Sequence, residues 1–174
     1  MSSRNTFERS SDLTLVSIVM NCYNGDKYLR EAIDSVYAQS YSNWEIIFWD
    51  NGSTDNSASI AKSYDERLKY FFAANTAPLG EARNLALKEA KGDYVSFLDC
   101  DDIYLPEKIS IQLTEMQAQN ALLSYGGWIK INEESEEVKK YKYAAVFENR
   151  FEQIYEKYNV SFLTIMINNN YLKE

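Results

Sequence analysis

Short apolar runs alternate with amphipathic stretches over the first two thirds of this chain. Four runs, at 15–20, 45–49, 68–73 and 94–98, have the length and composition of buried strands. Between and after them, apolar residues recur at helical spacing. The pattern therefore predicts an α/β domain, in which a mostly parallel sheet packs against helices joined by right-handed crossovers.

Proline and glycine residues mark the boundaries of the predicted helices. Pro78 and Pro106 open the third and fourth helices, and Gly92 is expected to end the third helix as its C′ glycine. The apolar residues that mark the four helices are Leu29, Ala32, Ile33 and Val36; Ala58, Ile60, Ala61 and Tyr64; Ala82, Leu85, Ala86 and Ala90; and Ile109, Leu113 and Met116.

The pattern changes after residue 120. Residues 122–127 and 128–132 are predicted strands that can pair as a hairpin. The charged stretch EESEEVKKYK at 133–142 is expected to be a solvated loop. A helix at 147–158 and a last strand at 160–167 complete the predicted elements.

Size, charge and composition narrow the classes of function. The 174 residues are 45% hydrophobic and 25% charged, as in a soluble globular protein, so we expect a single domain at 13–174 after a disordered tail at 1–12. A net charge of −8 excludes general nucleic-acid binding, which needs a basic surface. The chain has no histidine, which excludes histidine metal sites and Ser-His-Asp or Cys-His catalysis.

Cysteine usage and hydropathy bear on the cellular location. Cys22 and Cys100 stand in no zinc or redox spacing, which favours a reducing cytosol. No apolar run reaches the roughly 18 residues of a membrane helix, and the start lacks the apolar core of a signal peptide. We therefore expect a cytoplasmic protein. The alternative is a protein attached peripherally to the inner face of the membrane.

The fourth apolar run ends abruptly in a cluster of carboxylates. Asp99, Asp101 and Asp102 fall within four residues of one another, and a strand end tolerates such a cluster only when a positive charge neutralises it. Asp99 and Asp101 are two apart, so they point to the same side of an extended segment. This arrangement suits Mg²⁺ or Mn²⁺, which complete their shell with water and phosphate oxygens. A solvated acidic turn is the alternative.

Other polar and aromatic residues also stand at the predicted strand ends, where open α/β sheets bind their ligands. An aromatic ring can stack on a nucleobase, an amide or carboxylate can bind a base or ribose, and a guanidinium can supply a fixed charge. The residues concerned are Tyr23 for stacking, Asp50 and Asn51 for hydrogen bonding, and Arg83 for charge. Each also has a purely structural interpretation as a surface aromatic, a turn residue or a surface cation.

Four motifs in order resemble the family 2 glycosyltransferases of the GT-A fold. They are VSIVMNCYNGD, EIIFWDNGSTD, EARN and GDYVSFLDCDD, and the similarity runs from about residue 15 to residue 113. The family pattern places Pro-Thr-Tyr-Asn, E-I-I-V-V-D-D-G-S-x-D, A-R-N and F-L-D-x-D-D at these points. The resemblance implies a Rossmann-like, three-layer α/β/α domain.

The resemblance also implies roles for the residues in these motifs. Tyr23 would lie against the base, Asp101 would be the principal ligand of Mn²⁺ or Mg²⁺, and Asp99 would lie near both ribose and metal. The nucleotide-sugar-binding residues implied in this way are Cys22, Tyr23, Asn24, Asp50, Asn51, Arg83 and Asp99.

The reaction that the resemblance implies is transfer of a sugar from a nucleotide diphosphate to an acceptor hydroxyl, with inversion. A UDP-sugar is the expected donor, and a saccharide or lipid-linked acceptor in polysaccharide or glycoconjugate synthesis is the expected recipient. The chain departs from the family pattern where Asn21-Cys22 replaces Pro-Thr and Asn51 replaces the second aspartate. An amide both donates and accepts hydrogen bonds, so the preferred base is open.

The general base of the family, an acidic residue of the acceptor half, has no evident counterpart here. No aspartate follows Asp102, and the glutamates at 133, 134, 136 and 137 are candidates only by their place in the sequence. We therefore expect a domain truncated on its acceptor side. The alternative function is a catalytically incomplete sugar-nucleotide-binding module that needs a partner or a missing C-terminal segment. A homodimer or a completing partner chain is the assembly expected in that case.

Two other enzyme classes fit the sequence less well. A nucleotidyltransferase would carry a glycine-rich, basic phosphate loop after the first strand, where NCYNGDKYL has one glycine and one lysine. A phosphoaspartate phosphatase or receiver domain would carry its acidic cluster after the first strand, whereas here the cluster follows the fourth.

Overall fold

The computed structural model describes residues 14–141 and 161–172. Its strands are β1 (Val16–Cys22), β2 (Trp44–Asp50), β3 (Leu68–Phe72), β4 (Tyr94–Phe97), β5 (Leu123–Ser124), β6 (Trp128–Ile131), β7 (Glu137–Tyr141) and β8 (Met166–Asn168). Its α-helices are α1 (Asp26–Tyr37), α2 (Ser57–Ala61), α3 (Leu79–Glu89) and α4 (Lys108–Gln119). Two short 3-10 helices lie at Phe162–Thr164 and Asn169–Tyr171.

Six of these strands form one sheet in the order β3-β2-β1-β4-β8-β5. Strands β3, β2, β1 and β4 run parallel to one another, while β8 is antiparallel to both β4 and β5. Parallel neighbours need crossover connections, which contain α1, α2 and α3. The expected mostly parallel α/β sheet is confirmed, and the carboxyl ends of β1, β2 and β4 share one edge.

Two apolar layers cover the two faces of this sheet. On one face the buried residues of α1, α2 and α4, such as Leu29, Ala61 and Leu113, pack with alternate residues of the strands. On the other face, Ala86 and Ala90 lie in a smaller cluster with side chains of β1, β2 and β4. The domain is therefore a three-layer α/β/α structure, as the resemblance of its motifs implies.

Gly92 does not end α3, so that prediction is wrong. The helix ends at Glu89, and Ala90 follows in an extended conformation. Gly92 instead passes close to the start of β1, where an added Cβ would lie 2.6 Å from the Ser17 nitrogen and 2.7 Å from the Leu15 oxygen. Only a residue without a side chain fits this backbone approach.

We expect Gly92→Ala to lower the free energy of unfolding by about 1–3 kcal/mol, because the methyl group forces backbone apart in a packed region. Chemical denaturation measures the effect. Gly80→Ala is the matched control, since its added Cβ meets no atom within 4 Å, and it should be neutral or stabilising by up to about 1 kcal/mol because Gly80 lies in a helix. Equal stability of the two variants would contradict the packing explanation.

The charged stretch predicted as a loop is partly a strand, and the predicted hairpin pairs differently. Residues 137–141 form β7, which pairs antiparallel with β6 in a separate two-stranded sheet, while β5 pairs with β8. Trp128 and Tyr141 stack across the ribbon with ring centroids 3.9 Å apart. Cross-strand aromatic contacts of this kind stabilise a ribbon whose other side chains are mostly polar.

The prediction of a last strand near the end of the sequence is confirmed in part. The last strand, predicted at 160–167, is the 3-10 helix Phe162–Thr164 followed by β8. The tail expected at 1–12 and the helix expected at 147–158 lie outside the described residues. Among the helices at 14–141 and 161–172, none has the length and apolar character to span a bilayer.

Candidate functional site

The carboxyl edge of the sheet brings together the predicted site residues. Cys22 at the end of β1 lies opposite Asp50 at the end of β2, and the Asn51 amide donates to the Cys22 carbonyl at 2.8 Å. On the other side of β1, Leu98 N donates to the Val19 carbonyl at 3.1 Å. The segments after β1, β2 and β4 therefore emerge side by side, and Tyr23 stands among them with 56% of its surface exposed.

Asp50 is the most buried acidic residue of this edge, with no exposed surface. Its Oδ1 accepts a hydrogen bond from Ser53 N at 2.7 Å, and its Oδ2 accepts one from the Tyr70 hydroxyl at 2.6 Å. Burial and this bond to Asp50 raise the pKa of Tyr70. The turn continues through Gly52 at a φ of 88°, a conformation that favours glycine. The carboxylate is thus fixed in place before any ligand arrives.

The side chain of Asn51 is engaged within the protein. Its Nδ2 donates to the Ala77 carbonyl at 2.8 Å, and its Oδ1 accepts from Ala77 N at 3.0 Å. This reciprocal pair holds the loop before α3 against the end of β2. A contact of Asn51 with base or ribose stays a prediction, and such a contact would use its backbone or the second lone pair of Oδ1.

Asn24 shapes the loop that carries Tyr23. It adopts a φ of 51°, which asparagine tolerates better than most residues. Its Oδ1 accepts from Thr54 N at 2.8 Å, and its own N–H donates to Ser53 Oγ at 3.0 Å. The loop after β1 is thereby tied to the loop after β2, which restricts the positions open to the Tyr23 ring.

Arg83 lies on α3 at the same edge, as the sequence predicts. Its guanidinium donates to Asp99 Oδ1 at 2.7 Å and stands 4.1 Å from the ring centroid of Phe162. Phe162 packs in turn on Phe97, with ring centroids 4.2 Å apart. The ion pair is partly exposed, with 20% of the Arg83 side chain and 39% of the Asp99 side chain accessible. Sequence reasoning missed Phe162, since it comes from a distant segment with no recognisable motif.

Among residues 14–141 and 161–172, no lysine or arginine forms an ion pair with Asp101 or Asp102. Asp101 is exposed and Asp102 half-buried. Burial, together with repulsion from Asp101 and Asp99, raises the pKa of Asp102 to about 6. Concentrated negative charge of this kind attracts a cation.

This donor set fits a hard divalent cation. Within the described ranges, no group of three or more His, Cys, Asp or Glu side chains is arranged to hold a metal. Asp99 and Asp101 offer carboxylate oxygens, and Mg²⁺ and Mn²⁺ commonly bind one or two carboxylates while phosphate and water fill the other positions. The residues present therefore suit an ion that is shared with a phosphorylated ligand.

The two cysteines meet at this edge, which their spacing in the sequence does not indicate. Cys22 is buried, with 2% of its surface exposed, and its thiol donates to Ser57 Oγ at 3.4 Å. A hydrogen bond from the Cys100 thiol lowers the pKa of Cys22 to about 7, although burial acts in the opposite direction. The same bond and burial raise the pKa of Cys100.

Comparison with known proteins identifies the class of protein. The family model for glycosyl transferase family 2 matches residues 17–168, which is most of the chain. The protein therefore belongs to glycosyl transferase family 2, and the resemblance of its motifs is confirmed.

Two named relatives illustrate the match. An uncharacterized glycosyltransferase of Rickettsia felis is 38% identical over 156 residues, which are 88% of this chain and 26% of that protein. The UDP-Glc:alpha-D-GlcNAc-diphosphoundecaprenol beta-1,3-glucosyltransferase WfgD of Escherichia coli is 37% identical over 122 residues, 70% of this chain and 48% of WfgD. The chain thus spans about half or less of the length of these relatives.

A solved structure supports the fold assignment. TarS of S. aureus, in a crystal structure with UDP-GlcNAc, superposes with a TM-score of 0.69 and 22% sequence identity. The alignment covers 91% of this chain and 46% of TarS. The fold of the present chain is accordingly of the GT-A type.

Proposed function

We propose that this chain is the donor-binding part of a glycosyltransferase that transfers a sugar from a nucleotide diphosphate to an acceptor hydroxyl, with inversion. The observation that carries the proposal is that Asp99 and Asp101 follow β4 at the same sheet edge at which the exposed Tyr23 follows β1, and that Arg83 donates to Asp99 there. Side chains along this edge can bind a diphosphate, a base and a metal ion.

The proposed donor is a UDP-sugar. WfgD is named for UDP-Glc, and TarS was crystallised with UDP-GlcNAc. WfgD is also named for a diphosphoundecaprenol acceptor. By analogy, we propose a saccharide or lipid-linked acceptor, a role in polysaccharide or glycoconjugate synthesis, and a cytoplasmic site of action at the inner face of the membrane.

Asp101 and Asp99 would hold Mn²⁺ or Mg²⁺ against the diphosphate. Bound there, the ion would act as a Lewis acid that stabilises the negative charge of the departing nucleoside diphosphate. Arg83 keeps Asp99 oriented through its hydrogen bond of 2.7 Å. Tyr23 would stack on the base, and the buried carboxylate of Asp50 would fix the loop that contacts base and ribose.

The general base is not assigned to a residue of this chain. Glu133 is exposed and pairs with Lys27 at 3.2 Å, and Glu136 accepts from Asn132 at 3.1 Å in the turn between β6 and β7. Neither contact places a carboxylate beside Asp101. The second candidate function is therefore a sugar-nucleotide-binding module without turnover, completed by another chain or a further segment. Donor hydrolysis or sugar transfer distinguishes the two, because binding needs no base.

Calorimetric titration of UDP, GDP and their sugars into the purified chain, with Mn²⁺ and then with EDTA, tests the donor site. We expect binding of one nucleotide that depends on the metal. Absence of binding of every nucleotide under both conditions would contradict the proposal that this chain forms the donor site alone.

We expect Tyr23→Ala to weaken nucleotide binding by about 1–3 kcal/mol, because a base loses its stacking contact. Tyr171→Ala is the matched control, since Tyr171 is 53% exposed but follows β8 at the opposite edge, where Asn168 lies opposite Tyr94. The same calorimetric titration measures both variants. If the two substitutions leave affinity equally unchanged, Tyr23 is a surface aromatic only.

A further inference from the structure

Cys22 ends β1, and Cys100 lies three residues after the end of the neighbouring strand β4. Val19 of β1 lies opposite Phe97 of β4, and each cysteine follows three residues later. β4 ends at Phe97, and Leu98 N still donates to the Val19 carbonyl at 3.1 Å. Cys100 therefore lies in the turn that follows β4, next to the segment that ends β1. A disulfide needs the two sulfur atoms to approach to about 2.05 Å, so the positions of the side chains decide whether the pair can close.

Side-chain positions bring the two sulfur atoms together beneath Gly25. A Cβ added to Gly25 would lie 2.6 Å from the Cys100 sulfur and 3.0 Å from the Cys22 sulfur. Both cysteines also pack in the same apolar cluster. The missing side chain of Gly25 thus leaves room for a pair of sulfurs that face each other.

We propose that Cys22 and Cys100 form a reversible disulfide that shuts off the donor site, an inference that rests on the proposed function. The oxidant is hydrogen peroxide. One thiol attacks a peroxide oxygen, the O–O bond breaks, and sulfenic acid and one water form. The second thiol attacks the sulfenic sulfur, so that the S–S bond forms, the S–O bond breaks and a second water leaves. Two electrons pass from the sulfurs to the peroxide.

The position of the pair connects this chemistry to ligand binding. Cys22 immediately precedes Tyr23, and Cys100 lies between Asp99 and Asp101. Cys100 is half-buried, so a small oxidant has a route to the pair. An S–S bond of about 2.05 Å is much shorter than the contact between two thiols. Its formation therefore draws the loop with the carboxylates towards the end of β1.

Peroxide treatment of the full chain, followed by intact mass measurement and nucleotide titration, tests the proposal. We expect the wild-type protein to lose the mass of two hydrogen atoms while it stays monomeric on a non-reducing gel. Its affinity for UDP with Mn²⁺ should fall about tenfold or more, because the carboxylates that would hold the ion are displaced. Dithiothreitol should restore both properties.

Cys100→Ser is the matched variant, and its affinity after peroxide is compared with its own affinity in the reduced state. We expect the mass of this variant to show no loss of two hydrogen atoms. Its affinity for UDP after peroxide treatment should equal its affinity in the reduced state. The proposal is overturned if the wild type gains only oxygen atoms, forms only intermolecular disulfides, or closes the disulfide with unchanged affinity.

Failure of the proposed function is distinguishable from failure of this inference. If the reduced wild-type protein binds no nucleotide, the donor-site assignment fails, while the mass measurement still decides whether the disulfide forms.

Discussion

Asp101→Asn is expected to abolish metal-dependent nucleotide binding while the fold stays intact. The substitution removes one of the two carboxylates proposed to hold the ion, and Asp101 is exposed, so little packing is lost. Affinity for UDP in the presence of Mn²⁺ should fall to the level measured with EDTA, a change of about tenfold (~1.4 kcal/mol) or more. Calorimetry measures the affinity, and circular dichroism verifies the fold.

Asp93→Asn supplies the control for charge. Asp93 lies just before β4 at the opposite edge of the sheet, where its carboxylate accepts from Leu15 N at 3.1 Å, and an amide oxygen can keep that bond. This variant should bind UDP with the same metal dependence as the wild type. Unaltered metal dependence in Asp101→Asn would remove Asp101 from the site.

Glu45→Ala is expected to lower the free energy of unfolding by about 3 kcal/mol. Glu45 is 3% exposed and accepts hydrogen bonds from Ser17 Oγ at 2.7 Å, from Lys91 N at 2.9 Å and from Lys69 Nζ. Removing the carboxylate leaves buried donors without acceptors, which costs about 1–3 kcal/mol each. Breaking a buried ion pair typically costs about 3–5 kcal/mol. Because 39% of the Lys69 side chain is exposed, water can solvate its charge. We therefore expect a loss near the lower limit of that range.

Urea denaturation measures this loss, and Glu133→Gln is the control. Glu133 forms an ion pair with Lys27, but both side chains are mostly exposed, and pairs of this kind contribute little. The control should unfold at the same urea concentration as the wild type. A similar midpoint for Glu45→Ala would show that the buried network adds nothing to stability.

The pH dependence of stability gives a second readout of the same carboxylate. Burial acts to raise the pKa of Glu45, but the hydrogen bonds from Lys69, Ser17 and Lys91 outweigh it, so the pKa in the folded protein is lowered. The contribution of Glu45 is therefore present above its unfolded pKa of about 4.3. It disappears as the pH falls through the lower, folded pKa. We expect Glu45→Gln to show a weaker loss of stability with acidification than the wild type.

Local periodicity was sufficient to predict the parallel part of the fold. Leu29 and Ile33 recur at helical spacing and are fully buried, since the apolar stripe of a helix reports the face that packs on a sheet. The exposed ribbon of β6 and β7 was not predictable in this way. In β7 nearly every residue is exposed, so its sequence carries no apolar alternation, and the contact that stabilises it joins Trp128 to the distant Tyr141.

Residue types at strand ends predicted where the candidate site lies, but not its internal contacts. The Asp50 bond to Tyr70 and the Arg83 contact with Phe162 join residues from different elements. Spacing along a chain records which side chains share a face, whereas partners across elements depend on tertiary packing. The contact between Cys22 and Cys100 likewise depends on tertiary packing, so the spacing of the two cysteines along the chain does not predict it.

The position of β8 in the sheet has a consequence for the order of events during synthesis. β4 is complete at Phe97, yet the strand that pairs with its outer side comes only at Met166–Asn168. On the ribosome, the nascent chain therefore carries an open strand edge until Met166–Asn168 has been synthesised, and such edges invite association with other chains. The ring that supports Arg83 comes from the same late segment, at Phe162. The binding edge thus reaches its final arrangement only after the segment from Phe162 to Asn168 has emerged.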